Sequence, residues 1–270
     1  SDIYPDRIGS ALGVTMATGD LGQTVLPPIA GALAAAVAWQ LGLAFIAPLL
    51  LVVSAVLWVV LPAQTPTASA VDSLSADSAR YVLTKLRRSN LLFVAFILFL
   101  YILIWQSFTG FYPTYLVEVK GLPSSLAGVL FSVFFAFGVI VKPLAGAAYD
   151  RIGMRKALVA VLVGPVAGLA TLPFIEGLWA LVAVTALVST MLGSGAITQS
   201  FLSDAIPDDI QGTGLGAVRT TSATLGAAGP VLFGGIADRG YFDEGYILLA
   251  AMLAVVVLLT LRLPESDRRR

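Results

Sequence analysis

The sequence predicts an all-α polytopic membrane protein, a bundle of transmembrane helices, and three observations carry that prediction. Of 270 residues, 58% are hydrophobic and only 12% are charged, with a mean hydropathy of +0.91. A soluble domain carries about 25% charged residues, so most of this surface is solvated by lipid. Apolar segments of spanning length recur along the chain, and Lys and Arg sort to one side of them.

Crossing about 30 Å of hydrocarbon at about 1.5 Å per residue takes roughly 20 mostly apolar residues. Eight segments meet this: 9–36, 39–61, 91–116, 125–148, 157–175, 178–202, 212–236 and 245–263. The first two nearly touch at Ala38-Trp39. The long polar stretch 63–89, rich in Ala, Ser and Thr, reads as a cytoplasmic linker with an interfacial helix around Tyr81–Arg88.

Orientation follows from the basic residues. With the linker inside, twelve lie on the inner side: Arg7, Arg80, Lys85, Arg87, Arg88, Arg151, Arg155, Lys156, Arg262 and Arg268 to Arg270. Two, Lys120 and Arg239, lie outside, and two, Lys142 and Arg219, fall within spans. An even number of spans puts both termini in the cytoplasm of a multi-pass protein of the cell (inner or plasma) membrane. The N-terminus, Ser1-Asp2-Ile3-Tyr4-Pro5, has neither an initiator Met nor a signal-peptide pattern and reads as a cut end.

Composition also limits the chemistry. The chain has no Cys and no His, which removes thiolates, disulfides, the usual zinc ligands and imidazole bases. No nucleophile and base pair is apparent, so an enzyme is not expected, and no metal or cofactor is called for. Sixteen basic residues balance sixteen acidic ones, leaving no net field to hold nucleic acid.

Two segments about 200 residues apart share their punctuation. Ser1-Asp2-Ile3-Tyr4-Pro5-Asp6-Arg7-Ile8 matches Ser203-Asp204-Ala205-Ile206-Pro207-Asp208-Asp209-Ile210. After a one-residue shift, Gly9, Leu12, Gly13, Thr18, Pro27 and Gly31 match Gly212, Leu215, Gly216, Thr221, Pro230 and Gly234. The first and seventh spans are therefore expected to be equivalent members of two repeats of six, with four spans missing before the first. Gly9-x3-Gly13 and Gly212-x3-Gly216 suit close backbone packing in lipid, and Pro27-Pro28 and Pro230 suit bends.

The loop after the fourth span reads Gly146-Ala147-Ala148-Tyr149-Asp150-Arg151-Ile152-Gly153-Met154-Arg155-Lys156. This G-x-x-x-D-R-x-G-x-R-K string resembles the signature loop of the major facilitator superfamily of secondary transporters. The resemblance implies twelve helices in two six-helix domains. On that plan, residues 1–62 hold the last two helices of the N-terminal domain and 63–89 the inter-domain linker. Residues 90–264 form the C-terminal six-helix domain and 265–270 a cytoplasmic tail. Pro27-Pro28-Ile29-Ala30-Gly31 looks like the family's fifth-helix antiporter-type motif, which implies an exchanger of the drug-export type.

The resemblance further implies a conformational latch made by Gly146, Asp150, Arg151, Gly153, Arg155 and Lys156. Asp150 is expected at the start of the seventh span, around Gln211-Gly212, and Arg151 is expected to pair with Asp204. Asp2 is the equivalent partner in the other repeat. A carboxylate at a helix N-terminus contributes about 0.3–1 kcal/mol and an exposed ion pair about 0–1 kcal/mol, which suits bonds broken in every cycle.

Ionisable residues inside spans mark pathways, and here they are Asp20, Lys142 and Arg219. Lys142 and Arg219 each lie about 12 Å from a cytoplasmic helix end, so they share a depth at which two cations can hold an anion. The structural alternatives are that Lys142 snorkels and that Arg219 pairs with Asp20 or with a carboxylate in the missing spans; Asp20 is equally a coupling-proton site or a structural partner. In the third span, Gly110 and Pro113 are expected to break the helix, making Tyr101, Trp105, Gln106 and Thr109 candidates for the site wall. An outer aromatic belt explains Phe111 to Tyr115 equally well. Thr190, Ser194, Thr198 and Gln199 in the sixth span suit hydrogen bonds between helices.

These residues imply secondary active transport of a small solute by alternating access, coupled to a proton or solute gradient, with an organic anion as substrate. The competing readings are a drug-type efflux carrier and a non-transporting membrane scaffold or sensor. The partners expected are the substrate, the lipid bilayer and a coupling proton, with no obligate protein partner.

Overall fold

The computed structural model describes residues 7–36, 39–60, 91–206 and 210–263, which form helices and short connections and, among the described residues, no strand. The linker 63–89, Asp2 and the tail 265–270 lie outside them. Helices α1 (Ile8–Ala36), α2 (Trp39–Ala44) and α3 (Ile46–Val60) cover the first two segments. Then follow α4 (Leu91–Glu118), α5 (Ser124–Thr171), α6 (Leu178–Ser189), α7 (Gly193–Ala205), α8 (Gln211–Gly226), α9 (Ala228–Ala237) and α10 (Phe242–Leu261).

Four stretches are by themselves long and apolar enough to cross a membrane: Leu91–Glu118, Ser124–Phe174, Leu178–Ala205 and Phe242–Leu261. The second runs to 51 residues, or about 76 Å, more than twice the hydrocarbon thickness. It turns back at Gly153, whose φ of 74° and ψ of 171° are open only to glycine at low cost. The signature-loop glycine therefore divides α5 into two crossings.

Proline accounts for two further steps. Pro230 has no N–H for the Gly226 carbonyl, and the seventh segment steps at Ala227, between α8 and α9. Pro48 stands in the same relation to Ala44, and the second segment steps at Phe45. Pro27 and Pro28, expected to bend the first span, are carried inside one continuous helix. The expected break in the third span is absent too: α4 runs through Gly110 and Pro113, because a buried helix with partners on several sides tolerates one lost hydrogen bond.

The core lies between α4, α5, α6 and α10. Phe108, Tyr112, Tyr115, Phe134 and Tyr246 are fully buried, with ring centroids 4.6 Å apart for Phe108 and Tyr112 and 4.5 Å for Tyr115 and Tyr246. Tyr115 donates to Asp243 Oδ1 at 2.6 Å in the first turn of α10, and Tyr112 pairs with Thr185. Tyr112 and Tyr115 are thus core residues rather than a belt. On α3 the apolar side chains face outward; Trp58 is 89% exposed, as a lipid-facing helix requires.

Candidate functional site

The site rests on the crossing of α1 with the first half of α5, where residues at three- and four-residue spacing form facing stripes. On α5 these are Gly138, Lys142, Gly146 and Asp150; on α1 they are Gly9, Gly13, Ala17 and Asp20. A Cβ on Gly9 would strike the Gly146 carbonyl oxygen, and one on Gly146 would strike that of Gly9. A Cβ on Gly13 would strike the Lys142 carbonyl. The two backbones meet with nothing between them, which is the purpose of small residues in lipid.

Each end of this crossing closes on a polar contact. At one end Asp150 caps α1: Oδ1 accepts from Gly9 N at 2.9 Å, and Oδ2 accepts from Ser10 N at 2.8 Å and Ser10 Oγ at 2.7 Å. These are donors left free by the first helical turn, at the positive end of the dipole. The sequence put Asp150 at the seventh span instead. The helix it reaches is the first span, the equivalent member of the other repeat, so the contact joins the two groups of helices rather than two helices of one group.

Asp204 also has a different partner from the one expected. Its Oδ2 accepts from Tyr149 Oη at 2.7 Å, while Arg151 is exposed and makes no ion pair with it. The Tyr149 phenol, two residues before Arg151, is buried in the bundle, whereas the Arg151 side chain stays exposed. Gln211 caps locally instead, donating to the Ser203 carbonyl at 2.7 Å.

At the deep end, Lys142 Nζ lies 2.5 Å from Asp20 Oδ1 and 3.4 Å from the Met16 carbonyl. Asp20 is completely buried and Lys142 nearly so. Asp20 Oδ2 rests against Gly138, where any Cβ would displace it, and has no hydrogen-bond partner among the described residues. Asp20 therefore pairs with Lys142, not with Arg219, and Lys142 does not snorkel. The helix crossing brings the Lys142 ammonium to α1, within reach of the carboxylate.

Both groups open on a cavity of about 340 Å³ between α1, α4, α5, α7 and α8. Tyr101, Trp105 and Gln106 line it from α4, Thr198 and Gln199 from α7, and Arg219 from α8. Six of the seven substrate-site candidates thus share one cavity. Thr109 does not line it; its hydroxyl bonds back to the Trp105 carbonyl at 2.8 Å. Tyr101 Oη donates to the Met191 carbonyl at 3.0 Å, fixing α4 against the sixth span. Arg219 is exposed and has no hydrogen-bond or ion-pair partner among the described residues. The Trp105 indole N–H is likewise unpartnered.

Met16 and Gln23 line the cavity beside Asp20, and sequence reasoning passed over both. Their signal was the spacing 16, 20, 23, which puts all three on one helical face. In the sixth span, Thr190 makes the expected bond between helices, to the Val161 carbonyl at 2.9 Å. Ser194 bonds back to the Met191 carbonyl at 2.7 Å and also pairs with the Tyr101 hydroxyl of α4, whereas Thr198 bonds within its own segment.

The model of the Major Facilitator Superfamily matches residues 1–230. The hexuronate transporter of Bacillus subtilis (strain 168) is 29% identical over 269 residues, covering 93% of this chain and 64% of that protein. The multidrug resistance protein MdtG of Proteus mirabilis (strain HI4320) is 26% identical over 134 residues, covering 50% of this chain and 33% of that protein. MdtG of Klebsiella pneumoniae (strain 342) is 27% identical over 162 residues, covering 58% and 39%. The chain thus spans under two thirds of the length of these relatives. The family match over most of the chain and the glycine-divided signature loop that ties α5 to α1 agree: the chain belongs to the major facilitator superfamily.

Proposed function

We propose that this chain works in secondary active transport of a small organic anion by alternating access, coupled to a proton or solute gradient. The observation that supports it best is Arg219, a guanidinium with no partner among the described residues, on a cavity whose other cation there, Lys142, is already paired. An isolated guanidinium in a membrane span is costly unless a ligand or a water-filled space receives it. Its forked donors match a carboxylate. Gln106, Gln199 and the Trp105 indole N–H supply hydrogen-bonding groups for hydroxyls, and the cavity volume falls in the usual range of about 300–1,000 Å³ for small-molecule sites.

A hexuronate, the compound for which the Bacillus subtilis relative is named, is a sugar with one carboxylate, and that chemistry fits one free guanidinium among amides. In this reading residues 1–62 and 90–264 belong to two domains joined by the cytoplasmic linker 63–89, with both termini inside. Asp150 on the α1 N-terminus is a contact that forms and breaks as the domains rock.

The test is uptake of a labelled hexuronate into proteoliposomes holding the full-length protein, with and without Arg219→Gln. Loss of a charged hydrogen-bonded pair should weaken apparent affinity about 10- to 100-fold. Unchanged affinity removes Arg219 from the site and the anion reading with it.

The MdtG matches favour a second reading, export of an apolar drug against the Leu98, Ile102 and Trp105 wall. That activity needs no guanidinium, so Arg219→Gln should leave drug efflux intact while weakening the apparent affinity for a sugar acid.

A further inference from the structure

The cavity presents three charged groups among the described residues: Asp20, Lys142 and Arg219. Two of them cancel. Lys142 Nζ is held 2.5 Å from Asp20 Oδ1, and their side chains are 11% and 1% exposed. In so dry a place each charge is tolerable only because of the other. Asp20 Oδ2 has no second donor, so Lys142 is the one compensation the carboxylate has among the described residues. Gly138 leaves the space in which that carboxylate sits.

We propose that Asp20 sets the charge class of the substrate. By neutralising Lys142 it leaves one uncompensated cation among the described residues, Arg219, and so selects monoanions over dianions of the same size. This rests on the anion reading above. Asp20 acts on the substrate through Lys142 and is a specificity-determining residue, not a direct ligand. Discrimination of this kind works by withholding a partner from the second carboxylate, whose desolvation is then uncompensated.

The experiment measures competition by a six-carbon sugar monocarboxylate (galacturonate) and the matching dicarboxylate (galactarate) in the full-length protein. Direct binding to purified protein gives the readout, so a variant that cannot complete a transport cycle is still scored. The wild type should prefer galacturonate. Asp20→Asn frees Lys142 and should move the ratio toward galactarate by about tenfold or more, the effect of one added charge at a few ångströms in a partly dry site. Asp20→Asn with Lys142→Gln removes both charges and should return the ratio to the wild-type value, which a merely structural role for Asp20 does not predict.

An unchanged ratio in Asp20→Asn, or a shift that persists in the double variant, overturns the proposal. Failure of both acids to bind the wild type overturns the anion reading beneath it. Binding of both with no charge dependence overturns the Asp20 assignment alone.

Discussion

Gly9 and Gly146 face each other so closely that a Cβ on either would fall on the carbonyl oxygen of the other. No side chain separates α1 from α5 at that point, and the rest of the site is positioned by the contact. One turn to either side stand the Asp150 cap on α1 and the Gly13 contact with Lys142, and further in lies the Asp20–Lys142 pair.

Adding a methyl at this crossing should therefore separate the helices. Gly to Ala ordinarily strengthens a helix by up to about 1 kcal/mol, but Gly146→Ala is expected to lower the melting temperature of the purified protein. Gly128→Ala, at a position on the same helix with open space around it, is the control and should be neutral or stabilising. Equal melting of the two variants would show that the crossing is looser than described.

Asp150 holds two backbone donors and one hydroxyl of α1. Asp150→Ala should weaken closure of the inner side by about 1–2 kcal/mol, the combined scale of a helix cap and a dipole contact. The chain has no native Cys, so a single Cys at Gln199 reports access to the cavity from the inner side. Its thiol should react about five to thirty times faster in the Asp150→Ala background. Unaltered reactivity would mean that the cap does not hold the inner side shut.

Removing one member of the buried pair should cost more than removing both. Lys142→Gln leaves a buried carboxylate whose second oxygen has no donor among the described residues, with an expected loss of about 3–5 kcal/mol. Adding Asp20→Asn should recover most of it. Chemical or thermal unfolding in lipid-like detergent checks this, and additive losses would refute the coupling.

Gly153 turns the chain at φ 74°, ψ 171°. Gly153→Ala forces an L side chain into that region at about 1–3 kcal/mol, so a lower yield of folded protein and a lower melting temperature are expected. The measurement is the melting curve of whatever fraction inserts, and wild-type melting would mean that the loop adopts another turn.

The signature loop was legible down to single positions, because its glycine, carboxylate and basic residues have few alternative uses in a short loop between apolar spans. Its partner was not. The repeat made α1 and α8 look equivalent at their N-termini, and local sequence cannot tell which of two similar helix starts a carboxylate will cap. The cavity was half legible: charge within a span identified Asp20, Lys142 and Arg219, and polarity identified Tyr101, Trp105 and Gln106. Thr109 was misplaced because a hydroxyl in a membrane helix readily bonds its own chain four residues back, as it does here. Gly138 carried no signal, since its value lies wholly in what approaches it.

The sequence by itself determined that the chain lives in lipid, where its apolar segments lie and which loop turns between two of them. These follow from hydropathy, length and backbone freedom, which are properties of consecutive residues. Tertiary structure alone decided that Asp20 neutralises Lys142, that Arg219 is left without a partner among the described residues, and that Asp150 closes on α1. Pairing of charges depends on which helix faces register at the α1–α5 crossing. That register is set by glycines meeting 130 to 140 residues apart in the chain, a distance no local pattern spans.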